Sequence, residues 1–529
     1  MTSWIDTKVW VLLKSADSLW LKATVLDVDV ADAGGEWIFH VVIDDLGKHS
    51  IPTLPIDTFN LEFENVKRRE GDSLGMDYAR VHDMTALTYL NEPEIIECLR
   101  RRYEVDMVYT ATGPILVALN PYKFLPTYDD SVLDQYCAEG QSRGSHSSTL
   151  APHVFQISDN AYRRMLMDKF NPDTRENQSI LVNGESGAGK TESTKHCLHY
   201  LAVISCRVAS CLGLDANSSD IENRILASNP ITESLGNAKT SRNNNSSRFG
   251  KYIQLGYSAD GVIENAGIHT YLLESVRVVS HTQGERNFHI FYEIAAGLSP
   301  EALLHMGFTS MTDFQYLHSG GAPPDLSDDD YENDVMNYHS FREALEVMEV
   351  PEDTQNELLC VVIAILHIGN LTFVESGCVG EEAAMFSPEA TEKHVPYICD
   401  LLSISKDSLL TAVGRRCITV AGSSMMKQLC VLDAMHAKDT FARAVYNCLF
   451  TWTLAMVNAE LNTVSAHTEV MSHIGILDIF GFEFFEMNSF EQLCINYTNE
   501  KLQVRVLAIG LLNAVCTTDV LILDHTRLH

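Results

Sequence analysis

Gly184-Glu185-Ser186-Gly187-Ala188-Gly189-Lys190-Thr191 is the stretch on which the reading of this chain turns. It fills the pattern GxxxxGK[ST], in which backbone N–H groups wrap a polyphosphate. Gly184, Gly187 and Gly189 permit a tight loop and close backbone approach, while Glu185, Ser186 and Ala188 contribute main chain to the cradle. Lys190 supplies a point charge for the β- and γ-phosphates, and Thr191 a hydroxyl ligand for Mg²⁺. The flanks agree. Ser179-Ile180-Leu181-Val182-Asn183 is an apolar run of strand length, and residues 191–201 hold neither Gly nor Pro, as a helix leaving the loop requires.

Composition narrows the remaining classes. The 529 residues are 46% hydrophobic, ample for a sizeable core and against global disorder. A formal charge of −33 argues against nucleic acid as the main partner, because phosphate backbones reward Lys and Arg. The 13 cysteines form no CxxC pair, a pattern that suits reduced thiols in a cytosolic protein. Met1-Thr2-Ser3-Trp4-Ile5-Asp6 carries no basic segment with an apolar stretch behind it, so no signal peptide is visible. The apolar stretch 506–515 is too short to span a bilayer, and no membrane span is expected.

Three β-rich runs, 9–13, 19–26 and 37–43, open the chain, with a turn at Ala33-Gly34-Gly35 between the last two. With Pro52, Pro55 and Asp57 following, residues 1–60 are expected to form a small SH3-like β-barrel. From about Asp83 longer helices alternate with buried strands, which predicts α/β: a twisted central sheet flanked by helices, as in P-loop NTPases. Residues 113–119 read as one strand, ending at Asn120-Pro121. Asp328-Asp329-Asp330 reads as a solvated helix start, and 357–371 as a buried helix ended by Gly369-Asn370. His196, Cys197 and His199 have metal-ligand chemistry, but on the helix after the loop they are expected to pack.

Two further segments narrow the chemistry. In Gly475-Ile476-Leu477-Asp478-Ile479-Phe480-Gly481-Phe482-Glu483 an acid ends an apolar strand, where it can orient Mg²⁺ or its water shell. The Gly481 N–H can bond a γ-phosphate oxygen and so sense that group. In Asn243-Asn244-Asn245-Ser246-Ser247-Arg248-Phe249-Gly250, Ser246 and Ser247 offer hydroxyls to a γ-phosphate and to Mg²⁺, and Arg248 can pair a carboxylate in bidentate fashion.

Together these segments closely resemble those of myosin motor heads. The resemblance covers the phosphate loop 184–192, a first switch over 237–251 and a second switch over 478–483. It extends to Leu90-Asn91-Glu92-Pro93, Ala118-Leu119-Asn120-Pro121-Tyr122-Lys123, Pro152-His153-Val154-Phe155, Gly284-Glu285-Arg286-Asn287-Phe288-His289 and Asn496-Tyr497-Thr498-Asn499-Glu500-Lys501-Leu502-Gln503. Kinesins follow the Ser-Ser-Arg with Ser-His, whereas Phe249-Gly250 follows here.

The resemblance implies an actin-based motor head that binds and hydrolyses Mg-ATP, cytoplasmic and associated with the cytoskeleton. Asn120, Pro121, Lys123 and Tyr128 match its adenine loop, and Gly184 to Thr191 its phosphate cradle. Asn243, Ser246 and Ser247 match the first switch, with Ser247 and Thr191 on Mg²⁺. Asp478 and Gly481 match the second switch, and Arg248 with Glu483 the ion pair that closes behind ATP. Phe124 departs from the pattern, standing where many relatives carry a basic residue. Arg415, Arg416 and Lys427 lie where myosins carry an actin-facing loop.

The resemblance stops after Gln503, dividing the chain into residues 61–503 of a motor domain and a divergent tail, 504–529. A motor head without the family's converter and lever is not expected to be motile alone or to bind light chains, and filamentous actin is its implied partner.

Overall fold

The structure is a computed structural model describing residues 6–12, 20–30, 37–43, 66–69, 77–143, 149–166, 177–213, 217–318, 327–376, 383–420, 423–462, 470–483, 488, 490–511 and 517–523. The chain divides into two compact units, Met1–Gln156 with Asp519–His529, and Ile157–Thr518.

In the first unit, β1 (Lys8–Leu12), β2 (Trp20–Val30), β3 (Trp37–Ile43) and β4 (Val66–Arg68) form an antiparallel sheet in the order β3-β2-β1-β4. Alternation buries one face of it: Val9, Val11, Ala23, Val25, Val28, Phe39 and Val41 make its core. Among the described residues the expected SH3-like β-barrel is not formed. The sheet is open, with β3 and β4 as its edges. Closure needs a ladder between those two strands, and β4, at three residues, offers too few backbone groups to make one. Period-2 alternation finds strands but carries no information about which edges join. The turn at Ala33-Gly34-Gly35 and Pro52, Pro55 and Asp57 lie outside the described residues.

Trp10 anchors this sheet, its indole Nε1 donating to Glu94 Oε2 at 2.7 Å on the helix Glu92–Tyr103. That helix is capped by Asn91, whose side chain accepts from Glu94 N. Arg102, on the same helix, is buried and donates to Thr110 Oγ1 at 2.8 Å and to the carbonyls of Ala79 and Tyr109 at 2.9 and 3.0 Å. Residues 113–119 hold one strand, as expected, beginning two residues later at Ile115. β5 (Tyr109–Thr112) and β6 (Ile115–Leu119) form a hairpin, with Gly113 at φ 59° in the left-handed region that turns the chain.

In the second unit, β7 (Gln178–Gly184) runs into the phosphate loop, and the helix Lys190–Leu212 leaves it. The two-residue strands β8 (Asn237–Ala238) and β9 (Ser246–Ser247) pair across the first switch, and β10 (Gly250–Tyr257) and β11 (Ile263–Tyr271) form a long hairpin. Two small hairpins follow, β12 (Phe373–Glu375) with β13 (Ala384–Phe386) and β14 (Arg415–Val420) with β15 (Ser423–Gln428). β16 (Ser472–Asp478) then inserts between β10 and β7, antiparallel to the first and parallel to the second. The order β11-β10-β16-β7 is the α/β sheet expected from the alternating pattern.

Helices complete the core. Lys190–Leu212 packs on β7 and β16, while Asn217–Gly236 and the 32-residue helix Val431–Asn462 pack on β11. Glu352–Gly369 is buried throughout its last two turns and stops at Asn370, as expected, although it begins five residues earlier. Ser327 caps Asp328–Val347 by accepting from Asp330 N, so the three aspartates do form a helix start.

The tail contributes a strand, β17 (Thr517–Leu523), whose residues Val520 to Leu523 pair in parallel with Leu116 to Leu119 of β6. Among the described residues no helix is long and apolar enough to cross a membrane, and the cysteines are free thiols.

Candidate functional site

The second unit assembles its site at the C-terminal ends of β7 and β16. Their parallel register places Asp478 opposite Val182, so both following loops leave the sheet side by side. Gly187 and Gly189 adopt φ of 83° and 98°, the left-handed conformation that lets the loop fold back on itself. Gly189 is the N-cap of the 23-residue helix and brings no side-chain hydrogen bond to its first turn. The N–H groups there are consequently available to an anion at the positive end of the helix dipole.

Lys190 is buried beneath the loop and donates to the Glu185 carbonyl at 2.7 Å. Burial brings its ammonium down to about 8, opposed by the carboxylates of Asp478, Glu483 and Glu185. Thr191 hydrogen-bonds the Asp478 carboxyl, which burial holds above its usual range against the pull of Lys190, Thr191 and Lys251.

The second switch lies directly on the phosphate loop. Phe482 makes a β-bridge with Glu185, and a Cβ built on Gly481 would come 2.4 Å from Ser186 N and 2.6 Å from Lys190 Nζ. Only glycine fits this close approach. The helix Phe490–Leu511 holds the switch from behind. Glu483 N donates to Asn496 Oδ1 at 2.9 Å, and the side-chain amides of Asn496 and Asn499 donate to the carbonyls of Glu483 and Phe480 at 2.7 and 3.0 Å.

The first switch closes the other side. Asn237 pairs with Ser247 and Ala238 with Ser246, which sets the serines against the loop. Ser246 Oγ lies 3.3 Å from Ser186 Oγ, and Asn243 sits beside Gly187. The Ser247 hydroxyl donates to the Phe249 carbonyl at 2.8 Å, leaving its oxygen lone pairs for a cation.

Arg248 joins the two switches. It is 2% exposed, and its Nη1 and Nη2 donate to the two carboxylate oxygens of Glu483 at 2.5 and 3.2 Å. Nη1 also donates to Ser246 Oγ at 3.1 Å, and Nε to Glu274 at 2.7 Å. Burial alone would depress the Arg248 guanidinium, but Glu274 and Glu483 raise it above its usual range. Burial likewise works against the Glu274 carboxylate, which Arg277 and Arg248 nevertheless hold down at about 2.

Glu274 is missing from the sequence reading, because nothing in Tyr271-Leu272-Leu273-Glu274-Ser275 marks it. It extends the network to Arg277, which bonds Glu285, while the neighbouring Arg286 bonds Asp334 and donates its main-chain N–H to the Lys239 carbonyl. The stretch Gly284 to His289 therefore buttresses the first switch from behind. Asn496 and Asn499 stood within a quoted motif, but their hold on the second switch had no sequence signal.

The donor set fits a magnesium-bound polyphosphate: uncapped helix N–H groups, one buried lysine, two hydroxyls and one carboxyl converge within a single unit. Asn120, Pro121, Lys123 and Tyr128 belong to the first unit, where they have separate partners. The Tyr103 hydroxyl donates to the carbonyls of Asn120 and Pro121 at 3.4 and 3.2 Å, the Tyr128 and Tyr109 hydroxyls meet at 2.8 Å, and Lys123 pairs with Asp106. Phe124 is 87% exposed. Arg415, Arg416 and Lys427 are exposed on the β14–β15 hairpin, with Arg416 opposite Lys427. Cys197 is fully buried and packs as expected, while His196 and His199 are half-buried, with His199 Nδ1 lying 3.7 Å from Glu222.

Comparison with known proteins agrees with this geometry. Residues 81–511 match the family described as myosin head (motor domain). The chain is 35% identical to Myosin-1 of Arabidopsis thaliana over 501 residues, covering 94% of this chain and 39% of that protein. It is 39% identical to unconventional myosin-Va of Rattus norvegicus over 427 residues, 80% of this chain and 21% of that protein. It is also 39% identical to the non-muscle myosin-2 heavy chain of Acanthamoeba castellanii over 448 residues, 84% of this chain and 28% of that protein. The chain thus spans two fifths or less of the length of these relatives. With a matched segment that takes in the phosphate loop, both switches and the helix behind them, the chain belongs to the myosin head family.

Proposed function

We propose that this chain binds Mg-ATP, hydrolyses it, and couples the presence of the γ-phosphate to its affinity for filamentous actin. The observation that carries this reading is the buried Arg248–Glu483 pair, which ties the two switches together while Gly481 lies against the phosphate loop.

The loop N–H groups and Lys190 bind the phosphates, and Asn243 bonds their oxygens. Thr191 and Ser247 would hold Mg²⁺, and Asp478 would orient the water on it. When bound, the metal neutralises charge on the β- and γ-phosphate oxygens. Phosphoryl transfer asks the protein for position and charge more than for covalent chemistry. Ser246 and the Gly481 N–H position the attacking water. Because Arg248 donates to Ser246 Oγ, the serine is left free to donate its own proton toward an oxygen in the site. Arg248 and Glu483 exclude bulk water behind that position. Asn120, Pro121, Lys123 and Tyr128 are assigned to the adenine, and the exposed Arg415, Arg416 and Lys427 to a surface for acidic filamentous actin. On this reading the protein works in the cytoplasm, on the cytoskeleton.

Loss of the γ-phosphate removes the ligand shared by the loop and both switches, which frees Gly481 and Ser246 to separate. The helix Phe490–Leu511 is fastened to the second switch through Asn496 and Asn499, so it must follow that motion. Phosphate release from the purified chain, with and without filamentous actin, tests the proposal. Turnover that Lys190→Ala abolishes supports it, and nucleotide binding without turnover in the unsubstituted chain overturns it.

A further inference from the structure

Four helices of the second unit, Lys190–Leu212, Asn217–Gly236, His289–Gly297 and Asp328–Val347, together with Asn245 of the first switch, line a half-open cavity of about 370 Å³. That size falls within the range of small-molecule pockets. Glu293 lines it, is 2% exposed, and leaves its Oε2 without a hydrogen-bond partner. A buried carboxyl oxygen in that state loses the hydration it would have in water and gains nothing in return.

The other groups on the wall do not answer it. Lys195 is already paired with Glu192 and Glu233 at 3.0 and 2.9 Å. His289 is held neutral by burial, and its Nε2 meets Asn245 Oδ1 at 3.2 Å. Lys251 bonds Asn229 with Thr232, and Lys239 bonds Asp330. Arg286 donates through Nη2 to Asp334 at 2.5 Å, and its charge, not a hydrogen bond, reaches Glu293. Among the described residues none of these groups donates to Glu293 Oε2, and Leu226 and Pro230 give the cavity an apolar side.

We propose that this cavity is a binding site for a compact organic cation bearing an amidinium or guanidinium fork, with Glu293 as its carboxylate partner and Leu226 and Pro230 against its apolar body. A planar fork delivers two parallel N–H donors to one carboxylate, the geometry that Oε2 lacks. The site requires no ATP turnover, so it stands or falls separately from the hydrolytic reading.

The groups facing Glu293 are Ser234, Asp334, Arg286 and Glu233, and burial pushes its carboxyl up to about 8. A bound cation ionises it, so binding releases a proton below that pH and tightens as the pH rises from 6.5 to 8.5.

Benzamidine is the probe, with neutral benzamide as its control, titrated calorimetrically into the purified 529-residue chain at both pH values. Benzamidine is expected to bind at least ~10-fold more tightly than benzamide, the worth of a charge-assisted pair of hydrogen bonds. Glu293→Gln is expected to lose that ~10-fold preference, and Leu226→Trp, which fills the apolar side, to lose binding of both probes. Circular dichroism melts establish that each variant is folded, and Leu226→Trp decides the matter if Glu293→Gln is not. Equal affinity for the two probes overturns the proposal, as does no saturable benzamidine binding by the folded parent or full retention of binding in either folded variant.

Discussion

In the first unit one carboxylate collects three cations, whereas in the second one guanidinium collects two carboxylates. Glu97 bonds Lys22, Arg100 and Arg101 at 2.8, 2.7 and 3.0 Å, and the cations are 17%, 32% and 46% exposed. Arg248 bonds Glu483 and Glu274 with its own side chain 1% exposed. Water and two remaining partners cover the loss of any one cation from Glu97. No water covers the loss of Arg248, and its two carboxylates, from segments about 210 residues apart in sequence, would lose the one cation they share. The same chemical groups thus make a tolerant surface cluster in one place and a mechanical joint in the other.

The largest expected effect separates chemistry from stability within the joint's own neighbourhood. Lys190→Met is expected to slow single-turnover phosphate release by at least ~100-fold, the scale of losing a charge aimed at the transition state. Its unfolding midpoint in urea is expected to hold or rise, because burial already disfavours that ammonium in the fold. A parallel loss of stability and turnover would remove the distinction.

Arg248→Met comes next. It leaves Glu274 and Glu483 buried without their shared cation, and urea denaturation is expected to read a loss of about 3–5 kcal/mol. A loss under 1 kcal/mol would make this cluster no different from that around Glu97.

Acid provides a sharper comparison of the two. Burial works against the Glu97 carboxylate, but Lys22 and Arg100 hold it down at about 2, as Arg277 and Arg248 do for Glu274. A carboxylate with a depressed folded pKa contributes stability that is complete above its unfolded value and is lost as protons bind. Both contributions are therefore expected to vanish as pH falls from 4.5 toward 2, and Glu97→Gln or Glu274→Gln should each flatten part of that acid limb in equilibrium unfolding. An unchanged limb in Glu97→Gln would show that the solvated cluster does not hold its carboxylate down.

The smallest effect belongs to Arg101→Ala, expected to cost about 0.5 kcal/mol or less in the same urea experiment, because Lys22 and Arg100 remain on Glu97. A loss approaching that of Arg248→Met would erase the contrast between the two units.

The phosphate loop was legible because its physics is local. The strand Gln178–Gly184, the left-handed glycines at 187 and 189 and the helix beginning at Lys190 are consecutive, so spacing alone carries the cradle. Arg248 and Glu483 were legible only as members of separate motifs. Glu274 was not legible at all, since no short-range pattern distinguishes a glutamate that will meet a guanidinium 26 residues away. In the N-terminal region alternation marked β1, β2 and β3 but missed β4, which is too short to show a period, and so suggested a closed barrel where the sheet is open.

What the residues in order determine is the set of chemical parts: a phosphate cradle, two switch loops and the helices and strands that lead into them. Each depends on φ preferences, side-chain period or a fixed spacing of a few residues, and each survives being read one window at a time. Which parts meet is another matter. The packing of Gly481 on Ser186, the place of Arg248 between Glu483 and Glu274, the hold of Asn496 on the second switch and the unpaired oxygen of Glu293 arise only when distant segments share one interior, where desolvation makes each polar partner count.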